Sequence, residues 1–170
     1  DALNALRGKE ADFFARHGGR TVITPHLLEF SRLSGLATAE IKTDLIAAVM
    51  KFVRDYAVTV VLKGAPSLIA SAKTGNIYVN ETGNAGMAAG GMGDVLSGII
   101  AAMIAHDGIG SIAAAACAAV YLHGAAGDYC AGRIGPYGFT PDEVADAVPE
   151  VLALWDKRRP LILLEKPYII

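Results

Sequence analysis

The chain has 170 residues, of which 53% are hydrophobic and 19% are charged, a composition typical of a folded globular protein rather than a disordered one. Its 15 basic and 17 acidic residues leave a net charge of −2, so no positive excess draws it to nucleic acid or to an anionic membrane. The longest apolar runs, residues 95–105 and 112–122, are shorter than the roughly 20 residues that a membrane span needs.

The cysteines and the amino-terminal sequence indicate in which cellular compartment the protein is expected. Cys117 and Cys130 have no metal-ligand spacing, and Cys117 falls in an alanine-rich segment that predicts a buried helix. No basic segment followed by an apolar run, the pattern of a secretory signal, is visible at the start of the chain. We therefore expect a reducing, cytoplasmic location and neither a membrane nor a nucleic-acid partner.

The first third of the chain predicts helices around one short strand. Residues with β-branched side chains form the strand, which Pro25 ends, and apolar residues at intervals of three and four form the helices. The expected elements are a helix at residues 1–18, a strand at 21–24, a short helix at 27–35, and a single helix capped by Thr38 that ends near Tyr56.

The rest of the chain predicts more strands, a glycine-rich loop and three helices. The continuous β-branched run at residues 58–62 is typical of a strand that is buried on both faces of a parallel sheet. The further expected elements are short strands at 67–70 and 76–79, a loop at 80–93, a helix from Asp94, a helix at 113–129, and a helix from a capping box of Thr140 and Glu143 to about Trp155.

This alternation of strands and helices, with short connections, predicts an α/β fold of the three-layer α/β/α sandwich type. No linker-like change of composition divides the sequence, so residues 1–170 are expected to belong to a single domain. In such folds ligands bind at the carboxyl ends of the strands. The loops after Ile23, Leu62 and Val79 are therefore the places where a site is expected.

The strongest functional feature is a glycine-rich loop, residues 82–94 with the sequence TGNAGMAAGGMGD, which opens directly into an apolar helix. Its glycines allow the backbone to approach a phosphate closely, and the helix start offers free amides and a positive dipole end. Asp94 alone would be interpreted as a stabilising first-turn acid. Three glycines just before it favour a second role, that of a general base for a hydroxyl that attacks a phosphoryl group.

Two other phosphate-binding motifs are excluded or weak. No Gly-x-x-x-x-Gly-Lys-Ser/Thr sequence occurs, which excludes a P-loop. Residues 108–113 match the loose dinucleotide-binding pattern, but they follow a predicted helix instead of a strand. We interpret that segment as a turn between helices.

Two further segments follow predicted strands. Lys63 begins the segment Lys63-Gly64-Ala65-Pro66-Ser67, where a cation can meet a phosphate, although taken by itself it is better explained as an ordinary strand-ending cation before a turn. His26 ends the sequence Thr24-Pro25-His26, with Glu29 three residues further on, and a lone histidine is more often structural than functional. His17, His106 and His123 are interpreted as structural, with His123 in need of a buried partner.

Together these segments resemble the ADP/ATP-dependent NAD(P)H-hydrate dehydratases, a ribokinase-like family. The resemblance covers most of the chain, because several motifs occur in a consistent order. The motifs are DALN at residues 1–4, TPH at 24–26, LKG at 62–64, NETGN at 80–84, GGMGDVL at 90–96 and YLHG at 121–124. The similarity is greatest to the bacterial form that is fused behind an epimerase domain.

The resemblance implies repair of a damaged cofactor. The family dehydrates the 6-hydroxylated form of NADH or NADPH with ADP or ATP as co-substrate, and the ADP reaction releases AMP and phosphate. Transferred to this chain, His26 and Asp94 would contact the hydrated cofactor, with Asp94 as catalytic base. The nucleotide would be held by Lys63, Gly64, Ala65, Pro66, Ser67 and Gly93. Mg²⁺ would bridge phosphates without a protein cage, and a homo-oligomer is expected.

The sequence departs from the family pattern at several positions. Leu27 and Leu28 stand where the family has Pro-Gly after the histidine, and Met92 stands where it has Thr. Asp1 corresponds to the end of an internal strand of the family, so we expect this chain to be the carboxyl-terminal portion of the ribokinase-like sandwich. The alternatives are a small-molecule kinase of the same fold, of hydroxyethylthiazole or pyridoxal type, and a non-catalytic nucleotide-binding or oligomerisation fragment.

Overall fold

The computed structural model describes residues 2–106 and 110–156. They form two compact units, unit 1 over residues 2–79 and unit 2 over residues 80–156. The turn predicted within residues 108–113 begins outside the described residues. That residues 1–170 belong to a single domain stays a prediction.

Unit 1 contains a four-stranded sheet and five α-helices. In chain order its elements are α1 (Ala2–Ala5), α2 (Glu10–His17), a 3₁₀ turn (Gly18–Arg20), β1 (Val22–Ile23), α3 (Leu27–Ser34), α4 (Thr38–Thr43), α5 (Leu45–Tyr56), β2 (Thr59–Leu62), β3 (Ser67–Ser71) and β4 (Ile77–Asn80), whose last residue begins unit 2. All four predicted strands are confirmed, with shifts of one or two residues at their ends.

The sheet has the strand order β1-β2-β3-β4 and is mixed. β1 pairs with β2 in parallel, with Val22 opposite Thr59, whereas β2 pairs with β3 antiparallel, with Val61 opposite Ile69. All four residues of β2 are buried, as its β-branched sequence predicts for a strand covered on both faces. The α/β class is confirmed, and the expected parallel sheet is mixed, because β2 and β3 pair antiparallel.

Two predicted helices of unit 1 are each broken in two. The helix expected over residues 1–18 is interrupted around Gly8, whose φ of 77° lies in the left-handed region that glycine adopts readily. The helix expected from Thr38 to Tyr56 ends at Thr43, and Asp44 caps a second helix by accepting a hydrogen bond from the Ala47 amide at 2.9 Å. In both cases a local backbone preference overrides a continuous apolar periodicity.

Large apolar side chains form the core of unit 1. Phe14, Phe30 and Phe52 pack edge to face between the helices, with centroid distances of 6.1 Å from Phe14 to Phe52 and 5.3 Å from Phe30 to Phe52. They are joined by Val60 and Leu62, which lie on one face of β2. The sheet edge that carries the loops after β1 and β2 is therefore fixed by a rigid core.

Unit 2 is helical in its described part. It contains a 3₁₀ turn (Ala85–Met87) followed by α6 (Met92–Ala105), α7 (Ile112–Ile134) and α8 (Pro141–Asp156), and α7 packs against both α6 and α8. The predicted capping box is confirmed, because Glu143 accepts a hydrogen bond from the Thr140 amide at 2.6 Å and its own amide donates to Thr140 Oγ1 at 3.4 Å. None of the described helices is both long and apolar enough to cross a membrane.

Candidate functional site

In unit 1, the parallel pairing of β1 and β2 brings two predicted site residues together. A parallel bridge joins His26 to Lys63, and the Lys63 amide donates to the Pro25 carbonyl at 2.8 Å. Both residues follow the carboxyl end of their strand, the edge at which ligands bind in α/β folds. The sequence predicted each residue separately, and the register of the sheet makes them neighbours.

His26 is the N-cap residue of α3 and forms a capping box with Glu29. The His26 amide donates to Glu29 Oε2 at 2.8 Å, and the Glu29 amide donates to His26 Nδ1 at 3.2 Å. The histidine side chain is 51% exposed, whereas the glutamate side chain is only 14% exposed. His26 therefore has a structural role as a helix cap and still presents its ring to solvent.

Lys63 and the turn after it complete this edge of unit 1. Lys63 Nζ lies 3.9 Å from Glu29 Oε2. The Ser67 hydroxyl closes the turn, since it accepts from the Gly64 amide at 3.3 Å and donates to the Gly64 carbonyl at 3.1 Å. Ala65 and Pro66 are exposed between them. Five of the six residues predicted to hold a nucleotide thus form one short turn at the sheet edge, exposed at residues 64–66.

In unit 2, the glycine-rich loop leads into the first turn of α6, as predicted. Gly91 caps the helix with a φ of 92°, and the Asp94 and Val95 amides both donate to the Gly91 carbonyl. Among the described residues no backbone carbonyl accepts from the Gly93 amide, so this donor is available at the helix start. Asp94 is exposed in the first turn. The loop can therefore offer an amide donor and a carboxylate side by side.

Asp128 of α7, which the sequence analysis did not identify, binds the glycine-rich loop through hydrogen bonds. Its carboxylate accepts from the Gly83 amide and from Asn84 Nδ2, both at 2.9 Å. Asn84 in turn accepts from the Gly86 amide at 3.0 Å, and the Thr82 hydroxyl lies 3.1 Å from the Tyr121 carbonyl. The sequence does contain a signal for Asp128, because it is an acidic residue inside an otherwise apolar stretch of alanine and glycine.

Two glycines of α7 allow the loop to lie against the helix backbone. A Cβ at Gly124 would come within 2.7 Å of the Thr82 carbonyl carbon and oxygen, and a Cβ at Gly127 would meet the side chain of Met87. Both glycines are buried. The close contact is therefore available only to residues without a side chain at these positions.

His123, one residue before Gly124, is a buried neutral histidine. Burial lowers its pKa from 6.5 to about 4, and a hydrogen bond to the Met92 backbone opposes this only in part. Its Nε2 and the Tyr121 hydroxyl have no hydrogen-bond partner within the described part of the chain. The expected structural role of His123 is consistent with this contact to the first residue of α6, although the expected partner for Nε2 is not found there.

Unit 2 also contains both cysteines and a pocket between α7 and α8. Burial raises the pKa of Cys117 to about 11 and also raises that of Cys130, which disfavours the reactive thiolate at both positions. Cys130 and Arg133 help to line a pocket of about 200 Å³ between α7 and α8. Over residues 2–106 and 110–156 no group of three or more His, Cys, Asp or Glu side chains has a metal-binding arrangement.

Comparison with known proteins decides the family. The family model described as NAD(P)H-hydrate dehydratase matches residues 1–150. The chain belongs to this family. It is 44% identical over 149 residues to the ADP-dependent (S)-NAD(P)H-hydrate dehydratase of Neisseria meningitidis, a match that covers 86% of this chain and 49% of the relative. It is 43% identical over 152 residues to the bifunctional NAD(P)H-hydrate repair enzyme Nnr of Moorella thermoacetica, covering 89% and 28% respectively.

Solved structures agree with the family assignment. The ADP/ATP-dependent NAD(P)H-hydrate dehydratase of Bacillus subtilis, co-crystallised with ATP and Mg²⁺ and soaked with CoA, matches with a TM-score of 0.71 and 30% identity. That match covers 82% of this chain and 53% of the Bacillus chain. The ribokinase-like fold class is confirmed by this likeness, and the small-molecule kinase becomes the weaker alternative. The chain spans about half, or less, of the length of these relatives.

Proposed function

We propose that this chain takes part in the ADP-dependent dehydration of hydrated NADH or NADPH, which regenerates the reduced cofactor. The observation that carries the proposal is the glycine-rich start of α6, with the free Gly93 amide beside Asp94, in a chain that belongs to the dehydratase family. The ADP reaction transfers one phosphoryl group to the hydroxyl of the hydrate and releases AMP. Loss of phosphate together with a ring proton then restores the dihydronicotinamide.

In this proposal Asp94 is the general base. Its carboxylate is exposed in the first turn of α6, so it can accept the proton of the substrate hydroxyl as that oxygen attacks the phosphoryl group. The Gly93 amide and the positive end of the helix dipole would stabilise the negative charge that develops on the phosphoryl oxygens. Since a carboxylate is a weak base, its position relative to the hydroxyl supplies most of the rate enhancement.

In unit 1, His26 would bind the hydrated cofactor and the turn at residues 63–67 would bind the nucleotide. Lys63 provides a positive charge for a phosphate, and the exposed turn leaves its backbone open to a ligand. Gly64 allows close approach at this turn, where a Cβ would already lie 3.1 Å from the Pro66 carbonyl oxygen. These roles follow the family motif residue by residue.

The nucleotide would be ADP, or ATP, together with Mg²⁺. The Neisseria relative is named ADP-dependent, and the Bacillus relative was crystallised with ATP and Mg²⁺. The described residues offer no cluster of three metal-binding side chains, so we assign the ion to the phosphates and waters, the arrangement that Mg²⁺ commonly adopts with nucleotides. The chemistry that the ion supplies is neutralisation of phosphate charge. A homo-oligomer remains a prediction from the sequence.

The test is recovery of dihydronicotinamide absorbance when the natural protein is incubated with hydrated NADH, ADP and Mg²⁺. We expect recovery with one AMP and one phosphate released per cofactor. In Asp94→Asn the rate should fall by at least about 100-fold, the usual contribution of a general base. Nucleotide binding should remain, because the substitution leaves the Gly93 amide in place.

Asp142→Asn is the matched control. Asp142 is also an exposed acid in the first turn of a long helix, α8, so both substitutions remove the same favourable interaction with a helix dipole. Only Asp94→Asn should lose activity. The absence of any recovery by the natural protein would contradict the dehydratase proposal, and accumulation of a phosphorylated product without recovery would indicate a kinase.

A further inference from the structure

Glu29 lies at the centre of the sheet edge of unit 1, and neither the resemblance nor the proposed function gives it a role. Its Oε2 accepts from the His26 amide at 2.8 Å, lies 3.4 Å from His26 Nε2, and lies 3.9 Å from Lys63 Nζ. One carboxylate oxygen thus contacts a residue proposed to bind the cofactor and a residue proposed to bind the nucleotide.

We propose that Glu29 is a positioning residue that fixes the His26 ring as an Nε2–H hydrogen-bond donor and holds the Lys63 ammonium beside it. This inference deepens the proposed function and rests on it for the identity of the ligands. The arrangement itself consists only of groups that belong to unit 1.

The tautomer of His26 follows from the capping box. The Glu29 amide donates to Nδ1 at 3.2 Å, so Nδ1 must carry a lone pair, and the proton of the neutral ring is on Nε2. Nε2 lies 3.4 Å from Glu29 Oε2 without a hydrogen bond between them, so the negative charge favours a proton on Nε2 while that N–H stays free to donate to a ligand. Both ends of the ring are therefore set by Glu29, one through its backbone and one through its side chain.

Helix capping alone does not account for this arrangement. The capping box at the start of α8 achieves the same backbone contacts with Thr140 and Glu143, and there the N-cap residue is a threonine without a ring. At α3 the N-cap is His26, whose ring is half exposed. The Glu29 side chain is only 14% exposed and has the Lys63 ammonium nearby. A poorly solvated carboxylate is stabilised by such a cation.

The arrangement defines what His26 can recognise. A ring with its proton on Nε2 and Nδ1 occupied donates one hydrogen bond outward and does not accept one. The ligand group at His26 is therefore a hydrogen-bond acceptor, such as a hydroxyl, carboxamide or phosphate oxygen. His26 consequently binds and orients the substrate without removing a proton, which leaves Asp94 as the only proposed base.

Nitrogen NMR of the natural protein labelled at histidine tests the tautomer directly. The His26 signal is assigned by its loss in His26→Gln. We expect the neutral form of the ring to be protonated at Nε2 in the unsubstituted protein, and a detectable fraction of the Nδ1-protonated form in Glu29→Gln, where the backbone amide of residue 29 alone favours the Nε2 tautomer. A His26 ring protonated mainly at Nδ1, or no difference between the two proteins, would overturn the inference.

Steady-state kinetics provide the second readout, with Glu143→Gln as the matched control. Glu29→Gln keeps an acceptor for the His26 amide, so α3 should still form, which circular dichroism would check. We expect the KM for the hydrated cofactor to rise about tenfold and kcat to change less than about threefold, as for a weakened charge-assisted contact to a binding residue. Glu143→Gln should change neither constant.

The two proposals fail in different ways. If the natural protein does not dehydrate the cofactor, the proposed function fails, and the NMR comparison still decides whether Glu29 fixes the His26 ring. If dehydration proceeds and Glu29→Gln behaves like Glu143→Gln in both readouts, Glu29 is a helix cap only.

Discussion

The two units hold their candidate site residues by different means. In unit 1 the residues lie at the edge of a sheet whose core is made of large side chains, and they contact one another through charged groups, as in the Glu29–Lys63 ion pair. In unit 2 the site is a stretch of backbone, and it is held by close contact with the glycines of α7 and by the Asp128 carboxylate.

This difference predicts different sensitivities. Side chains at an exposed sheet edge can be neutralised at little cost to stability, because solvent replaces their partners. The loop backbone packed on α7 has less freedom, because a methyl group added at Gly124 must displace main-chain atoms of Thr82. Substitutions where the loop of unit 2 contacts α7 should therefore act through folding, whereas those at the sheet edge of unit 1 should act through binding.

The largest expected effect is the acid sensitivity of unit 2, which comes from His123. Its pKa is 6.5 in the unfolded chain and about 4 in the folded one, so the unfolded state binds a proton first as the pH falls. Stability should be constant above about pH 6.5 and should decline as the pH approaches 4. The total loss is up to about 3 kcal/mol, at 1.36 kcal/mol per pKa unit.

Urea unfolding at several pH values measures this loss. The chain has one tryptophan, Trp155, which stacks on Tyr121 in unit 2 with a centroid distance of 5.2 Å, so its fluorescence reports that unit. His123→Gln should flatten the dependence between pH 6.5 and 4, whereas substitution of the exposed His17 in unit 1 should leave it unchanged. If the unfolding free energy of His123→Gln still fell between pH 6.5 and 4, groups other than His123 would be responsible for the acid sensitivity.

The second prediction concerns the close contact of the loop with α7. Gly124→Ala should destabilise unit 2 by about 2 kcal/mol, since the clash with the Thr82 backbone outweighs the roughly 1 kcal/mol gained in helix propensity. Gly127→Ala is the comparison and should cost less, because the atoms nearest to its Cβ would belong to the flexible Met87 side chain. Trp155 fluorescence in urea measures both, and equal effects would contradict the proposed rigidity of the loop.

The smallest stability effect is expected for Lys63→Met in unit 1. Its ion pair is 31% exposed on the lysine side and spans 3.9 Å, so its loss should change the unfolding free energy by less than about 1 kcal/mol. ADP binding in the presence of Mg²⁺, measured by calorimetry, should weaken about tenfold, as for one lost phosphate contact.

Lys51→Met serves as the control for charge. Lys51 pairs with Asp55 on the surface of α5, so its substitution makes the same change in net charge at an exposed ion pair of the same unit. ADP affinity should not change in this variant. If Lys63→Met lost stability but kept its affinity for ADP, the expectation that substitutions at this edge of unit 1 act through binding would be wrong.

Much of the secondary structure could be predicted because local chemistry decides it. The β-branched run became β2, Pro25 ended β1, and the side chains of Thr140 and Glu143 cap α8, as the sequence predicts. The errors were local as well. Apolar periodicity continued through Gly8 and Asp44, where a left-handed backbone and a side-chain cap end the helices.

The sequence by itself determined the family, the glycine-rich loop and the identity of the candidate site residues, because these are properties of residue type and spacing along the chain. The tertiary structure decided which of those residues meet. The parallel register of β1 and β2 made His26 and Lys63 neighbours around Glu29, and the packing of the loop on α7 gave Asp128 its role. Contacts between residues that are far apart in sequence depend on register and packing, which no local pattern encodes.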